Sequence, residues 1–194
     1  EVTRSIESEQ NFRKEWKEIM DYLMPYPSIT VWVPFNEAWG QFKTQEITEW
    51  TQYYDPSRLV NSASGGNHYL KVGDILDFHK YPSPELMMYD NERIAVVGEY
   101  GGIGMPLTGQ LWQPDKNWGY VQFKSAKEVT DEYVKYGQQL LELVKKGISG
   151  GVYTQTTDVE GEVNGLITYD RKVIKVEEDR IRKINQEISN SLSE

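Results

Sequence analysis

Two glutamates stand where a carboxylate could do chemistry rather than hold water. Glu37 lies between Val33-Pro34-Phe35-Asn36 and Ala38-Trp39-Gly40, and Glu99 lies between Val97-Gly98 and Tyr100-Gly101-Gly102. Neither neighbourhood is a solvated charge run; in each, an apolar strand-like segment runs into an acid. Two such carboxylates on one face of a fold are what acid-assisted glycoside cleavage needs. One is protonated and donates to the leaving oxygen, while the other is ionised and attacks the anomeric carbon. A separation of about 5–5.5 Å gives retention and about 6.5–9.5 Å inversion. Taken singly, each glutamate also fits a structural ion pair. Further polar residues follow apolar runs in the same way: Asn36, Asn61-Ser62, His79, and Gln155 with Asp158. Strands do stop at polar loop residues, but in a parallel α/β fold these ends share the face on which active sites are built.

The elements that would position these residues can be read from hydrophobic spacing. Phe12, Trp16, Ile19, Met20 and Leu23 predict an amphipathic helix over about 9–23, closed by Pro25 and Pro27. Ile29-Thr30-Val31-Trp32-Val33 predicts a strand buried on both faces. Ile47, Trp50 and Tyr54 mark a second helix stopped by Asp55-Pro56, and Arg58-Leu59-Val60-Asn61 a second strand followed by a turn at Ser64-Gly65-Gly66-Asn67. Residues 75–79 and 94–98 give two more strands. Ser125-Ala126-Lys127-Glu128 is a capping box opening a helix whose stripe is Val129, Tyr133, Tyr136, Leu140 and Val144. Lys145-Lys146-Gly147 closes it. Residues 150–155 give a fifth strand. Ile181, Ile184, Ile188 and Leu192 give a last helix, with Glu178–Arg182 and Asp179–Lys183 spaced for surface pairing.

Strands separated by helices imply parallel pairing and an α/β fold. A (β/α)₈ barrel takes about 31 residues per unit, so five units and a leading helix fill a chain of this length. The spacing therefore predicts a partial TIM barrel covering strands 4 to 8 with an N-terminal helix, as one domain over 1–194; an open doubly wound sheet fits the same element order.

Composition removes several alternatives. With 21 Lys+Arg against 30 Asp+Glu the formal charge is −9, which argues against nucleic acid as a partner. No apolar run is long enough to cross a membrane, and Glu1-Val2-Thr3-Arg4 lacks a signal-like apolar core. Zero Cys excludes disulfides and thiolate nucleophiles, and two His leave few nitrogen ligands, so neither metal nor cofactor is expected. No Gly-x-Ser-x-Gly elbow occurs, which weakens an esterase reading. The glycine pairs Gly65-Gly66 and Gly101-Gly102 lack phosphate-cradle spacing and read as tight loops that let backbone approach a substrate.

Four ordered blocks carry a family resemblance: Trp32-Val33-Pro34-Phe35-Asn36-Glu37-Ala38-Trp39-Gly40, Asp55-Pro56-Ser57-Arg58-Leu59-Val60, Asp77-Phe78-His79-Lys80-Tyr81-Pro82 and Val97-Gly98-Glu99-Tyr100-Gly101-Gly102. They resemble the fourth to seventh strands of the catalytic (β/α)₈ domain of glycoside hydrolase family 2. Tyr153 to Gly161 with Asn164-Gly165-Leu166 resembles the eighth-strand segment of its β-galactosidase-like members. The resemblance runs from about residue 10 to residue 185. It implies a retaining hydrolase with Glu99 as nucleophile and Glu37 as acid/base. Asn36 would bond the sugar 2-hydroxyl, or serve as an Asx-turn residue. Tyr81 or Tyr100 would donate to Glu99, or pack as core aromatics. His79 and Tyr81 would open into the sugar pocket, where His79 binds a hydroxyl or is structural. Of Trp39, Trp112 and Trp118, Trp112 is the expected sugar platform. Gln155 and Asp158 would floor the pocket, with structural capping or pairing as the alternative for Asp158.

The implied substrate is an oligosaccharide or glycoside. Asn164 is followed by Gly165-Leu166 rather than the Asn-x-Lys of glucuronide recognition, so an uncharged β-hexoside is expected, β-galactoside first and β-mannoside next. The family's first three barrel strands and preceding β-sandwich domains have no counterpart here, so the chain reads as a piece of a larger enzyme. Its raw sheet edges would favour a homodimer. A non-catalytic carbohydrate-binding or structural remnant is the rival reading. The resemblance suggests a periplasmic or secreted setting, with the cytoplasm also open.

Overall fold

A computed structural model describes residues 1–66, 71–87 and 90–191. Among them the chain forms a mixed α/β fold with four helices and parallel strand pairs. It divides into two compact units, Glu1–Phe78 with Met88–Ala95, and His79–Met87 with Val96–Glu194.

The first unit is built on three aromatic-rich elements. Helix α1 (Ile6–Leu23) starts at Ser5, whose hydroxyl accepts from the Ser8 N–H at 3.2 Å. Its inner face is Phe12, Trp16, Met20 and Leu23, whereas Ile19 is 44% exposed, one position off the stripe. Strand β1 is only Val31–Trp32, and Val33 is 41% exposed, so the strand is covered on one face rather than two. After α2 (Thr44–Tyr54), β2 (Leu59–Val60) pairs parallel to β1, Val31 opposite Leu59 and Trp32 opposite Val60. Two adjoining cores hold these elements: Met20, Trp32 and Val60 with Trp16 and Trp50, and Phe35, Phe42, Ile47 and Ala63 with Phe12.

The Asp55-Pro56-Ser57-Arg58 block clamps this unit. Asp55 is buried and accepts from the Trp32 indole and from Arg58, both at 2.8 Å. Arg58 also donates to the carbonyls of Ile29 at 2.8 Å and Met24 at 2.6 Å, the latter at the C-cap of α1. Between β2 and the next strand, β3 (Ile75–His79), the ladder is interrupted. Side chains bridge the gap: the Val60 N–H donates to Asp74 Oδ2 at 2.7 Å, and buried Asp77 Oδ2 accepts from Asn61 Nδ2 and Ser64 Oγ, each at 2.6 Å. The predicted turn begins as expected, with Gly65 and Gly66 at φ 89° and 109°, while Asn67 lies outside the described residues.

Strand β4 (Ile94–Gly101) is longer than the sequence pattern indicates and contains Glu99 within it. The strand order is β3-β4-β7, with β7 (Gly150–Thr154) parallel to β4, Tyr100 opposite Tyr153. Two short strands went unpredicted: β5 (Ile103–Gly104) and β6 (Val121–Gln122), which pair parallel.

In the second unit α3 (Ala126–Val144) follows its capping box, with Ser125 Oγ accepting from the Glu128 N–H at 3.3 Å and Glu128 accepting from the Lys124 N–H at 3.1 Å. Gly147, at φ 103°, ends it. Helix α4 (Glu178–Ser191) packs Ile184 onto Gly137 of α3. Leu192 lies outside the described residues. The surface pairs differ from those predicted: Arg182 lies 3.8 Å from Asp179, and Arg180 bridges Asp131 and Glu177 at 2.7 and 2.9 Å. Three-residue spacing and a neighbouring helix supply nearer partners.

Candidate active site

In the first unit Asn36 and Glu37 follow β1 and are exposed. Asn36 bridges Ser64 in parallel, and the Glu37 N–H donates to the Ser64 carbonyl at 2.8 Å, so both sit at the C-terminal ends of a parallel pair. The chain then turns sharply. Glu37 and Ala38 take positive φ, 49° and 65°, a region that costs a non-glycine residue free energy and that other contacts must hold. The Trp39 N–H donates to the Asn36 carbonyl at 2.9 Å, so Asn36 is the first residue of this turn. Arg4 secures its far end, donating to the Gly40 carbonyl through Nε at 3.1 Å and Nη2 at 2.7 Å. The guanidinium carbon itself lies 4.7 Å from the Phe42 ring centroid. Nothing in the sequence singles out Arg4, because its partner is a backbone carbonyl 36 residues away.

In the second unit Glu99 projects from β4 with 30% of its side chain exposed. The Tyr81 hydroxyl donates to Glu99 Oε2, and His79 Nδ1 lies 3.4 Å from the same oxygen. The Tyr81 oxygen is 2.8 Å from Thr154 Oγ1 at the end of β7. With the phenolic hydrogen committed to Glu99, the Thr154 hydroxyl is the donor in that contact. Burial, and then the carboxylate beside it, push the Tyr81 phenol up from its ordinary value, which keeps it a proton-bearing donor. His79 and Tyr81 therefore both address the carboxylate. Tyr100 does not: it is buried edge-on against Tyr153 at 5.9 Å.

The neighbouring residues behave differently from one another. Tyr81 stacks on Tyr120, rings parallel within 1° and centroids 3.8 Å apart, and Trp118 meets Tyr120 at 5.4 Å and 72°. Trp112, 61% exposed, instead meets Tyr169 edge-on at 5.5 Å, and Trp39 is 79% exposed in the first unit. The glycines Gly101 and Gly102 make room for rings rather than for a ligand. A Cβ on Gly101 would lie 2.4 Å from Tyr153 Cε2, and one on Gly102 2.2 Å from Tyr120 Cδ2.

Gln155, just after β7, donates to Glu162 Oε2 at 3.0 Å and to Asn164 Oδ1 at 2.7 Å, while Asn164 Nδ2 donates to Glu162 at 3.2 Å. Asp158 is buried, its Oδ1 shared by Lys175 Nζ at 2.7 Å and the Gly165 N–H at 2.8 Å. Lys175 is itself buried, and its remaining donors reach the carbonyls of Val163 at 2.9 Å and Met105 at 3.2 Å. Burial raises the Asp158 carboxyl and lowers the Lys175 ammonium, and each partner opposes the shift of the other. These contacts give Asp158 the pairing role that was its structural alternative.

No family model matches the sequence, and no curated protein matches it. Solved structures do resemble it in fold. A β-glucuronidase of Faecalibacterium prausnitzii aligns with TM-score 0.60 at 16% identity, covering 93% of this chain and 35% of its own. A β-D-glucuronidase of Dictyoglomus thermophilum gives 0.59 at 13%, covering 91% and 35%. An exo-β-agarase gives 0.57 at 13%, covering 77% and 22%. The chain has a glycoside-hydrolase-like fold and spans about a third or less of the length of these structures.

Proposed function

We propose that the chain is the catalytic part of a retaining β-glycosidase of the family 2 type, a partial barrel acting on an uncharged β-hexoside, with β-galactoside the first substrate and β-mannoside the next. The observation that carries this reading is the setting of Glu99: an acid on a parallel strand, half-sheltered, held by a phenol and an imidazole, in a fold shared with glycoside hydrolases.

Hydrolysis proceeds in two displacements. Ionised Glu99 attacks the anomeric carbon, and the bond to the leaving oxygen breaks with its electron pair moving onto that oxygen. Glu37 supplies the proton that neutralises it. Glu37, now a carboxylate, takes a proton from water, whose oxygen attacks the same carbon and returns Glu99 to its ionised form. Tyr81 keeps the Glu99 oxygen oriented and stabilises its charge, and Asn36 bonds the sugar 2-hydroxyl.

The polar cluster after β7 supports the neutral substrate. Asn164 is spent on Gln155 and Glu162, and Lys175 is spent on Asp158, so neither is offered to the carboxylate of a uronate. The β-glucuronidase likeness thus bears on fold and not on substrate. A 2-deoxy-2-fluoro-β-galactoside should inactivate the protein, with peptide mass spectrometry placing the glycosyl adduct on Glu99. Turnover of nitrophenyl β-glycosides should be lost in Glu99→Gly and return as a glycosyl azide when azide is added. Sugar binding with neither trapping nor turnover would favour the non-catalytic reading, to which the short span against the glycosidase structures lends weight.

A further inference from the structure

We infer that Trp118 and Tyr120 form a second sugar-binding position, taking a pyranose ring of a neutral β-linked oligosaccharide beside the one that Glu99 addresses; this rests on the glycosidase reading above. The two rings continue a row that begins at the carboxylate: Glu99 to the Tyr81 hydroxyl, Tyr81 stacked on Tyr120, Tyr120 against Trp118. Trp118 and Tyr120 keep 44% and 47% of their surface in solvent, at the outer end of a row whose inner end is sheltered.

The backbone is built to hold these rings in place. Trp118 bridges Glu162 in parallel, with its N–H donating to the Gly161 carbonyl at 2.8 Å and its carbonyl accepting from the Val163 N–H at 2.9 Å. The Tyr120 N–H donates to the Gly102 carbonyl at 3.0 Å, and only a glycine at 102 leaves space for the ring. Fixed, exposed aromatics of this kind fill no core and contribute binding at low conformational cost.

The chemistry of the surroundings selects the ligand. A pyranose offers a flat C–H surface to an aromatic ring and a rim of hydroxyls to polar groups. The bridge that fixes Trp118 also brings it beside Glu162, whose carboxylate, oriented by Gln155 and Asn164, is suited to accepting from hydroxyls. A quaternary ammonium needs an aromatic cage, but here the parallel Tyr81–Tyr120 stack consumes two facing ring surfaces and leaves a platform. Contiguity with Tyr81 makes the two positions parts of one chain-length-dependent site, so the inferred substrate is an oligosaccharide rather than a simple monoglycoside.

Direct binding tests this without turnover. Glu99→Gln protein is titrated calorimetrically with galacto-, manno- and gluco-configured β-linked tetrasaccharides and with the matching methyl β-monoglycosides. The expected result is one tetrasaccharide binding more tightly than its monoglycoside, an affinity that falls about tenfold in the Trp118→Ala background and returns in Trp118→Phe, which keeps a ring. Equal tetrasaccharide affinity with and without Trp118, or no tetrasaccharide advantage in any series, overturns the inference. The outcome is separate from trapping at Glu99. Tetrasaccharide binding that needs Trp118 in a protein that is never trapped would leave this position standing and remove the catalytic reading. Trapping with indifference to Trp118 would do the reverse.

Discussion

In the proposed mechanism Glu99 attacks carbon, which needs a fixed direction as much as a charge, and that direction comes from Tyr81 and, behind it, Thr154. Tyr81→Phe removes the only hydrogen-bond donor its phenol ring carries, and kcat/KM for nitrophenyl β-glycosides is expected to fall about 100-fold, within the range for losing one preorganised donor. Thr154→Val acts one step further out, on Tyr81 alone. A net hydrogen bond of about 1 kcal/mol corresponds to a loss of about fivefold, and combining it with Tyr81→Phe should add nothing. Steady-state kinetics of the two single variants and the double variant checks both statements; full additivity would mean that Thr154 does not act through Tyr81. The two glutamates were legible in the sequence because an acid abutting an apolar strand is conspicuous. Arg4 and Thr154 were not, since their partners Gly40 and Tyr81 lie 36 and 73 residues away and no local pattern encodes such contacts. In the sequence the glycine-rich loop around Trp112 suggests access there rather than at Trp118. Ring stacking, which only the fold reveals, runs to Trp118 instead.

Elements with a sustained period were the readable ones: α3 follows its capping box and apolar stripe, and α1 follows its stripe apart from Ile19 although it begins at Ile6, before the predicted start. The two-residue strands β5 and β6 have no such signal, because their pairing is set by tertiary approach of Gly102 and Gly104 to the segment after Trp118. The Asp55 clamp between α1, β1 and α2 makes a pH prediction. Burial raises the Asp55 carboxyl, but hydrogen bonds from the Ser57 hydroxyl, the Trp32 indole, the Ser57 N–H and Arg58 outweigh it and bring it down to about 2. A depressed folded-state value means the contribution is complete above the unfolded value near 3.8 and is lost as pH falls through about 2. Urea midpoints should therefore decline in that window, and Asp55→Asn should be less stable at neutral pH yet lose less on acidification. The α3–α4 contact makes another. Alanine at Gly137 would gain about 1 kcal/mol of helix propensity, but its Cβ would lie 2.4 Å from Ile184 Cγ1. Overpacking costs about 1–3 kcal/mol, so Gly137→Ala should lower the thermal midpoint, and Ile184→Ala, which removes that Cγ1, should cost less in the Gly137→Ala chain than in the parent.

For the molecule as a whole the strand edges set the tendency to associate. Among the described residues β7 pairs only with β4 and β1 only with β2, and β7 carries Val152 at 60% exposure. An edge strand with unpaired backbone groups and an exposed β-branched side chain is a template for another strand. The opposing force is charge: a chain of net −9 repels its own copy, the more so at low ionic strength where screening extends far. These two influences predict self-association that strengthens with protein concentration and with added salt, in the form of a two-fold dimer, since one shared edge satisfies both copies. Sedimentation velocity at low and high salt reads the balance directly. Val152→Lys places a charge on the edge and should return the protein to monomer under all conditions while leaving its far-UV circular dichroism unchanged. A parent protein that sediments as a monomer at every concentration and salt level would show that neither β1 nor β7 recruits a second copy.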